Sequence, residues 1–466
     1  MPTHATNWSG TVTFGARRIH TPTSVAELQE LVATTPRIRA LGTAHSFSHV
    51  ADTAHDLVSV SGLPPVIEID RAGACVTVAA GVRYGAVARA VHEAGFALAN
   101  MGSLPHISVG GASATGTHGS GVRNANLASS VRAIRLVTAD GELVELSRDA
   151  DPDRFPGAVV ALGALGVVVS LTLDLVPTFD VRQVVYRDLP AARLTGGHLT
   201  EVLRGAYSLS LFTRWHSTDV EQVWVKQRVG GTPGDEAHRA ASSGLPDDAA
   251  SPFPPVWHDA HLADGPLHPL PSMPAENCTQ QGGVPGPFHE RLPHFRMEFT
   301  PSSGDEIQSE YLVPAEHGEE SLAAVATLRD RIAPVLHVSE IRTVAADELW
   351  LSPSYRRDAV AIHFTFHKDP AGVAAVLPDV ERVLAPFAPG RTGARSSGPT
   401  RRRSVRGTRA PTTSGVWQAR WTRTASSATS SSTGTSRRSD PRRCPVPGRA
   451  GPSAWRVRGR RPSVGA

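Results

Sequence analysis

Lysine is nearly missing from this chain of 466 residues: Lys226 and Lys368 are the only two among 47 basic side chains. Such a bias towards arginine points to a GC-rich coding sequence. Cysteine is scarce as well. Cys75, Cys278 and Cys444 lie far apart and show no metal-ligand spacing, so no metal site is expected and a reduced, cytoplasmic protein is the simplest reading. No run of about 18 apolar residues occurs, so no transmembrane helix is expected. The start "MPTHATNWSGTVTF" lacks a charged n-region and an apolar h-region, so no secretory signal is expected. There is no internal repeat, no strand–GxGxxG–helix dinucleotide fingerprint and no Gly-Lys-Ser/Thr phosphate loop.

Acidic side chains are missing from one region only. Residues 391–466 hold 18 arginines, one aspartate and no glutamate or lysine. The first 390 residues therefore carry 29 basic and 42 acidic side chains, a net charge of −13, although the whole chain is at +4. An acidic body is a poor partner for polyanions, which argues against nucleic-acid binding by the folded part.

Along residues 1–178, short apolar runs alternate with helical patterns. "TPTSVAELQELVATT" carries a capping signal and helical spacing, and "RIRALG" reads as a strand entering a glycine turn. A helix is predicted from about Tyr84 to Ala94. "SVRAIRLVTADGELVELS" is a hairpin turning at Asp140-Gly141, and "GALGVVVSLTLDLVP" is a glycine-led strand. Residues 179–390 read as a second unit of strands and helices, with a flexible polar insertion at about 229–257. Its predicted strands include "GAYSLSLFTRWHS", "VEQVWVKQRV", "PHFRMEFTP", "SEYLVP", "VSEIRTVAA" and "VAIHFTFHKD". Its predicted helices are "GEESLAAVATLRDRIAPVL" and "PAGVAAVLPDVERVLAPFAP". The fold class is α+β, in two domains followed by an aberrant, disordered tail at 391–466.

Two stretches carry chemistry. In "LGTAHSFSH", Gly42 permits a tight turn and close backbone approach, and successive N–H groups there can form an anion nest with His45 beside it. "NMGSLPHISVGGASATGTHGSG" packs eight Gly and Ala residues into 22 positions, interleaved with Leu104, Ile107 and Val109. A backbone lying against a phosphate or a flat ring needs such small residues, whereas a packed helix or strand does not. In the second unit, Glu340 and Arg342 alternate along a strand and share a face, as do His363 and Thr365. A carboxylate and a guanidinium together can orient vicinal hydroxyls. Taken alone, each of these features also fits an ordinary turn, loop or surface ion pair.

Together they resemble the flavoprotein oxidases of the vanillyl-alcohol-oxidase type, and within them the bacterial alditol (xylitol) oxidases, neighbours of the sugar-1,4-lactone oxidases. "TNWSGTVTF", "LGTAHSFSH", "NMGSLPHISVGGASATGTHGSG", "GALGVVVSLTLDL", "HERLPHFRMEFTPSSG", "SEYLVP", "EIRTVAADELWLSP" and "IHFTF" carry the likeness from about Asn7 to Pro389.

The resemblance implies a two-subdomain FAD-binding domain plus a sheet-and-helix substrate domain. It implies FAD joined covalently to His45. Gly42, Thr43, Ala44, Ser46, Phe47, Ser108, Gly111, Ala112, Ser113, Ala114, Thr115, Gly116 and His118 match segments that cradle the cofactor, and Gly166 and Val167 match a backbone contact to it. Glu340, Arg342, His363 and Thr365 become substrate-pocket residues, with Ser103 facing the flavin and Gln308 a weaker candidate. The implied reaction passes hydride from the terminal carbinol of a polyol to flavin N5, yields an aldose, and reduces O₂ to H₂O₂. The implied partners are a polyol and O₂, acting on a monomer. The alternatives are a sugar-1,4-lactone oxidase or dehydrogenase, and an inactive remnant with a basic tail.

The family also closes with "HWGK" and "DPxxKFxN", and neither follows Pro389 here. The lysine of the first is implied to help deprotonate the alcohol, and Lys368 lies in the wrong motif to replace it. For "RTGARSS", Arg391 to Ser397, the codons CGC ACT GGG GCA AGG TCT TCG are permitted. Read one base earlier they encode His-Trp-Gly-Lys-Val-Phe. For "TRTASS", Thr422 to Ser427, ACC CGC ACC GCA AGT TCG read one base earlier gives Asp-Pro-His-Arg-Lys-Phe. Two matches in one frame and in the family's order point to a frameshift just after Pro389, in the gene or its assembly. The literal chain is then expected to be impaired.

Overall fold

The computed structural model describes residues 5–229, 244–246, 248–271, 273–299 and 304–390. The tail at 391–466 and most of the expected insertion lie outside the described residues.

Ser24 starts the first helix as the capping signal predicts: its Oγ accepts from Glu27 N at 3.1 Å, and Glu27 Oε2 accepts from Thr23 N at 2.7 Å. This helix, α1 (Val25–Thr34), buries Leu28 and Val32. It follows strand β1 (Arg18–His20) and precedes β2 (Ile38–Leu41) and β3 (Asp56–Ser59), which form a three-stranded parallel sheet in the order β1-β3-β2.

A five-stranded antiparallel sheet comes next. It is built from β4 (Ile67–Asp70), β5 (Cys75–Ala79), β6 (Val131–Val137), β7 (Leu143–Ser147) and β8 (Val167–Asp174), in the order β4-β5-β8-β6-β7. The β6–β7 hairpin turns at the predicted Asp140-Gly141, with Gly141 at φ +80°. Two helices pack on this sheet: α2 (Tyr84–Glu93), and α3 (Val109–Ala114). Helix α3 is a correction, because part of the glycine-rich stretch, read as a backbone wall of a kind that a packed helix does not need, is itself a short packed helix. Its small residues let it seat directly on the sheet: a Cβ on Gly110 would come within 2.8 Å of Ala80 Cβ.

From Asp180 the chain builds a nine-stranded sheet. Its long strands are β9 (Asp180–Leu189), β10 (Ser208–Thr213), β11 (Val220–Val229), β12 (Glu306–Pro314), β13 (Leu336–Val344) and β14 (Ala359–His367). They run antiparallel in the order β9-β11-β10-β13-β14-β12. Alternation divides the two faces. Leu209, Leu211, Val223, Val225, Ile341, Ile362 and Phe364 enter the apolar core on one side. Helices α4 (His198–Leu203), α5 (Gly318–Ala326) and α6 (Pro370–Leu384) contribute Leu199, Leu322, Val376 and Leu384 to the same core.

Three other expectations change here. The described part of "PHFRMEFTP", residues 293–299, forms turns with an isolated bridge between Phe295 and Cys278, not a strand, because its backbone bonds to Ser103 and Asn277 instead of to a sheet edge. The helix predicted over "GEESLAAVATLRDRIAPVL" breaks after Ala326 and ends in short turns around Pro334, which has no N–H to continue it. The described end of the expected flexible insertion is packed: Leu245 and Phe253 are buried, and Arg182 donates to the carbonyls of Asp248 and Ser251 at 2.7 and 2.9 Å. No helix among the described residues is long and apolar enough to cross a membrane.

Candidate active site

A cavity of about 210 Å³ lies between the first two sheets and the polar face of the third. Its first wall is the turn after β2. Ala44 holds φ +57°, and its carbonyl accepts from Trp8 N at 2.8 Å. Asn7 ties the N-terminal segment to the same turn by donating to Ser46 O at 3.0 Å. His45 Nδ1–H donates to Thr43 O at 2.9 Å, and its ring stacks on Trp8 with centroids 5.6 Å apart. Burial pushes the His45 imidazole down to about 4, which keeps it neutral and leaves Nε2 with a lone pair.

The second wall is α3 and the loop leading to it. Gly42 and Gly111 let the two walls close together: a Cβ on Gly42 would lie 3.2 Å from Ser108 Oγ and 3.4 Å from Gly111 Cα. Ser108 is buried, faces the cavity, and its Oγ has no hydrogen-bond partner among the described residues. Such an orphaned hydroxyl calls for a ligand acceptor or a water.

Of the residues singled out from sequence, Gly42, Thr43, Ala44, His45, Ser46, Phe47, Ser103, Ser108, Gly111, Ala112, Ala114, Thr115, His118, Gly166 and Val167 all line this cavity. Ser113 and Gly116 do not. Ser113 is buried against the Tyr84 hydroxyl, and Gly116 packs towards Pro353. Arg342 and Gln308 line the far end, whereas Glu340, His363 and Thr365 stand on the same sheet face without lining the cavity.

At that end the structure assembles a buried charge cluster. Arg342 Nη2 lies 2.7 Å from Glu310 Oε1, Nε 3.5 Å from Glu340 Oε1, and Nη1 donates to Ser103 Oγ at 3.3 Å. Burial works against the guanidinium charge, but Glu340 and Glu310 outweigh it and raise its pKa. Burial also works against the Glu340 carboxylate, and the attraction of Arg342 and His294 outweighs that, holding its pKa well below the usual range. The Gln308 amide donates to Glu306 Oε1 at 2.6 Å, and His363 Nε2 lies 3.1 Å from Thr365 Oγ1.

Sequence reading missed Glu310, His294 and Lys226. Glu310 is two residues from Gln308 on one strand face and directly opposite His363, so the period-2 rule used for the other strands could have found it. It meets His118 Nε2 at 3.2 Å and His363 Nδ1 at 3.7 Å. His294 lies in an irregular segment and Lys226 on another strand, so only the tertiary fold brings them to Glu340.

Comparison with known proteins agrees with this architecture. The FAD binding domain family matches residues 16–147. The chain is 49% identical over 392 residues to an alditol oxidase from a Streptomyces species, covering 84% of this chain and 88% of that one. It is 31% identical over 376 residues to an L-gulono-1,4-lactone dehydrogenase of Mycobacterium tuberculosis, covering 77% and 82%. Among solved structures, the xylooligosaccharide oxidase of Myceliophthora thermophila superposes with a TM-score of 0.63 at 16% identity, over 84% of this chain and 86% of that one. Cholesterol oxidase from B. sterolicum superposes with a TM-score of 0.61 at 14% identity, over 83% and 84%. The fold is that of the vanillyl-alcohol-oxidase type. The chain belongs to the family of FAD-dependent oxidases that includes alditol oxidase and the related sugar-lactone enzymes.

FAD fits the cavity on structural grounds: two glycine-bearing walls that approach closely, and between them the buried Ser108 hydroxyl, unpaired among the described residues.

Proposed function

We propose that this enzyme, read in frame to its end, oxidises the terminal hydroxyl of alditols such as xylitol and sorbitol to the aldose, with O₂ reduced to H₂O₂. The observation that carries this reading is the fixed polar cluster at one end of the glycine-walled cavity. There a permanently charged Arg342 and the Ser103 hydroxyl face the space, with two carboxylates behind them.

FAD, once bound, supplies the hydride acceptor and the route for electrons to O₂. The chain's own residues bind and orient. Arg342 donates to substrate oxygens and cannot lose its proton at any working pH. Glu340 stays ionised next to Arg342, on the sheet face beside the cavity lining, and serves as an acceptor for hydroxyl groups of a substrate that reaches past Arg342. His363, Thr365 and Gln308 extend the same face. Ser103, held by Arg342, faces the flavin side of the cavity. We assign the neutral His45 imidazole as the covalent attachment point for the flavin; its Nδ1–H is committed to Thr43 O, which leaves the Nε2 lone pair for that bond. A single copy of the chain supplies all of these groups, which supports action as a monomer.

The same reading includes the tail. We infer that residues 391–466 are out-of-frame translation, supported by the two family motifs recovered one base earlier. The lysine expected to help accept the alcohol proton is then encoded but not translated, and the literal chain makes little H₂O₂. Determining the nucleotide sequence around codons 388–398 tests this, and an intact frame in the mRNA overturns it.

The functional test compares xylitol and sorbitol with an aldono-1,4-lactone, and O₂ with an artificial acceptor, in the literal and frame-restored proteins. H₂O₂ formed with polyols by the restored protein supports the proposal. Preference for the lactone replaces it with a lactone oxidase or dehydrogenase. Flavin that stays with the protein after acid precipitation supports the tether at His45, and a colourless precipitate excludes it.

A further inference from the structure

Behind Glu340, away from the cavity, lies a buried amine with no role in the scheme above. Lys226 sits in the middle of β11, paired with Gln183 of β9 and Ser208 of β10, and is 1% exposed. Its Nζ lies 2.6 Å from Leu292 O, 2.9 Å from Pro293 O and 3.1 Å from His294 Nδ1. Three acceptors on three consecutive residues match the three protons of an ammonium.

The third contact has a consequence. An ammonium can only donate, so His294 Nδ1 must accept, and the single ring proton of the neutral imidazole is forced onto Nε2. Nε2 lies 2.7 Å from Glu340 Oε1. The chain of donors therefore runs one way, from Lys226 through His294 to the Glu340 carboxylate. With the other tautomer, a nitrogen lone pair would face a carboxylate oxygen and Glu340 would lose its anchor.

The surroundings reinforce this arrangement. The His294 ring is packed by Phe212 and Trp224, with centroids 5.6 and 5.2 Å away. Burial and the nearby Lys226 push its pKa down to about 4, so it is neutral at ordinary pH. The His294 backbone N–H donates to Ser103 O at 3.1 Å, so the same segment also holds the loop bearing Ser103.

We propose that Lys226 is a positioning residue for the active site: by holding His294 in its Nε2–H form, it fixes the orientation of the Glu340 carboxylate for substrate hydroxyls. Its link to polyol binding rests on the function proposed above; its effect on His294 does not.

The charged and titratable groups facing Lys226 are His294, Glu340, Arg342 and Cys278. Burial brings the amine down to about 7. Below that pH it is an ammonium and holds the tautomer. Above it, the amine gains a lone pair that can accept from Nδ1–H, and the constraint relaxes.

The test uses the full chain labelled with ring-¹⁵N histidine, with His294→Phe identifying the His294 signals. At pH 6 the wild type is expected to show His294 as Nε2–H. A charged ring or an Nδ1–H ring in the wild type overturns the proposal without any variant. In Lys226→Met the His294 pattern is expected to change to the other tautomer or a mixture. The signals of His268, whose Nδ1 accepts from Leu270 N at 2.9 Å, are expected to stay in place and report an intact fold. An unchanged His294 in a folded Lys226→Met overturns the proposal.

The second arm is steady-state turnover of xylitol by the frame-restored, flavin-loaded protein. The wild type is expected to show a rise in KM above pH 7; Lys226→Met is expected to lose that rise and to raise KM at least about tenfold with a smaller change in kcat. An unchanged KM refutes the link to Glu340. If the wild type turns over no polyol, the proposed function fails, and the tautomer measurement still decides the role of Lys226.

Discussion

Arg342 and Glu310 meet at 2.7 Å in the interior, where neither side chain is more than 4% exposed. They come from β13 and β12, which are not neighbours in the sheet, because β14 lies between them. The pair spans β14 above His363, so the charge that faces the cavity is anchored by a carboxylate two strands away. Removing that carboxylate leaves a buried guanidinium with Glu340 as its remaining close anion. Glu310→Gln is expected to cost about 3 kcal/mol of stability. A chemical-denaturation midpoint unchanged from the wild type would count against this.

Gly166 opens the strand β8 at φ +153°, and a Cβ there would collide with the Val137 carbonyl. Gly166→Ala therefore strains the backbone and pushes β8 from β6 at the cavity wall. A loss of more than about 2 kcal/mol is expected. The check is a thermal melt, and a melting temperature within 2 °C of the wild type by order of magnitude would refute the strain argument.

Three histidines share one acid response. His45, His268 and His294 are each pushed down to about 4, in every case first by burial. Between about pH 6.5 and 4 the unfolded chain binds these protons and the folded chain does not. Stability therefore falls as pH drops through that window, by up to about 1.4 kcal/mol per pH unit for each group. Denaturation midpoints at pH 7, 6, 5 and 4 should fall with increasing slope. A flat profile from 6.5 to 5 would contradict the burial of these rings.

The tether can be separated from the cradle. His45→Ala removes the proposed attachment point but leaves the two backbone walls. The frame-restored variant is expected to hold flavin that moves wholly to the supernatant on acid precipitation. Flavin retained in the pellet would place the bond elsewhere.

Much of this was legible along the chain because it depends on local pattern. The capping box at Ser24, the hairpin at Asp140-Gly141, and the period-2 pairs Glu340/Arg342 and His363/Thr365 are each set by residues a few positions apart. The glycine-rich stretch was legible as a backbone wall but not as helix α3, since whether small residues curl or extend depends on the surface they pack against. The "PHFRMEFTP" segment misled for the same reason: its apolar content suits a strand, and its backbone N–H groups are taken by the carbonyls of Ser103 and Asn277 instead.

The sequence by itself determined the order of elements, the two backbone motifs that make a cofactor cradle, and the change in composition after Pro389. The tertiary structure alone decided the charge cluster. Glu310, Glu340, Arg342, His294 and Lys226 come from three strands and a turn, and no spacing rule links the residues of one strand to those of another. Their chemistry is decided by burial. In water Lys226 would be an ordinary ammonium and His294 a half-protonated ring. In the dry interior each has only the partners the fold provides, and those partners set its proton.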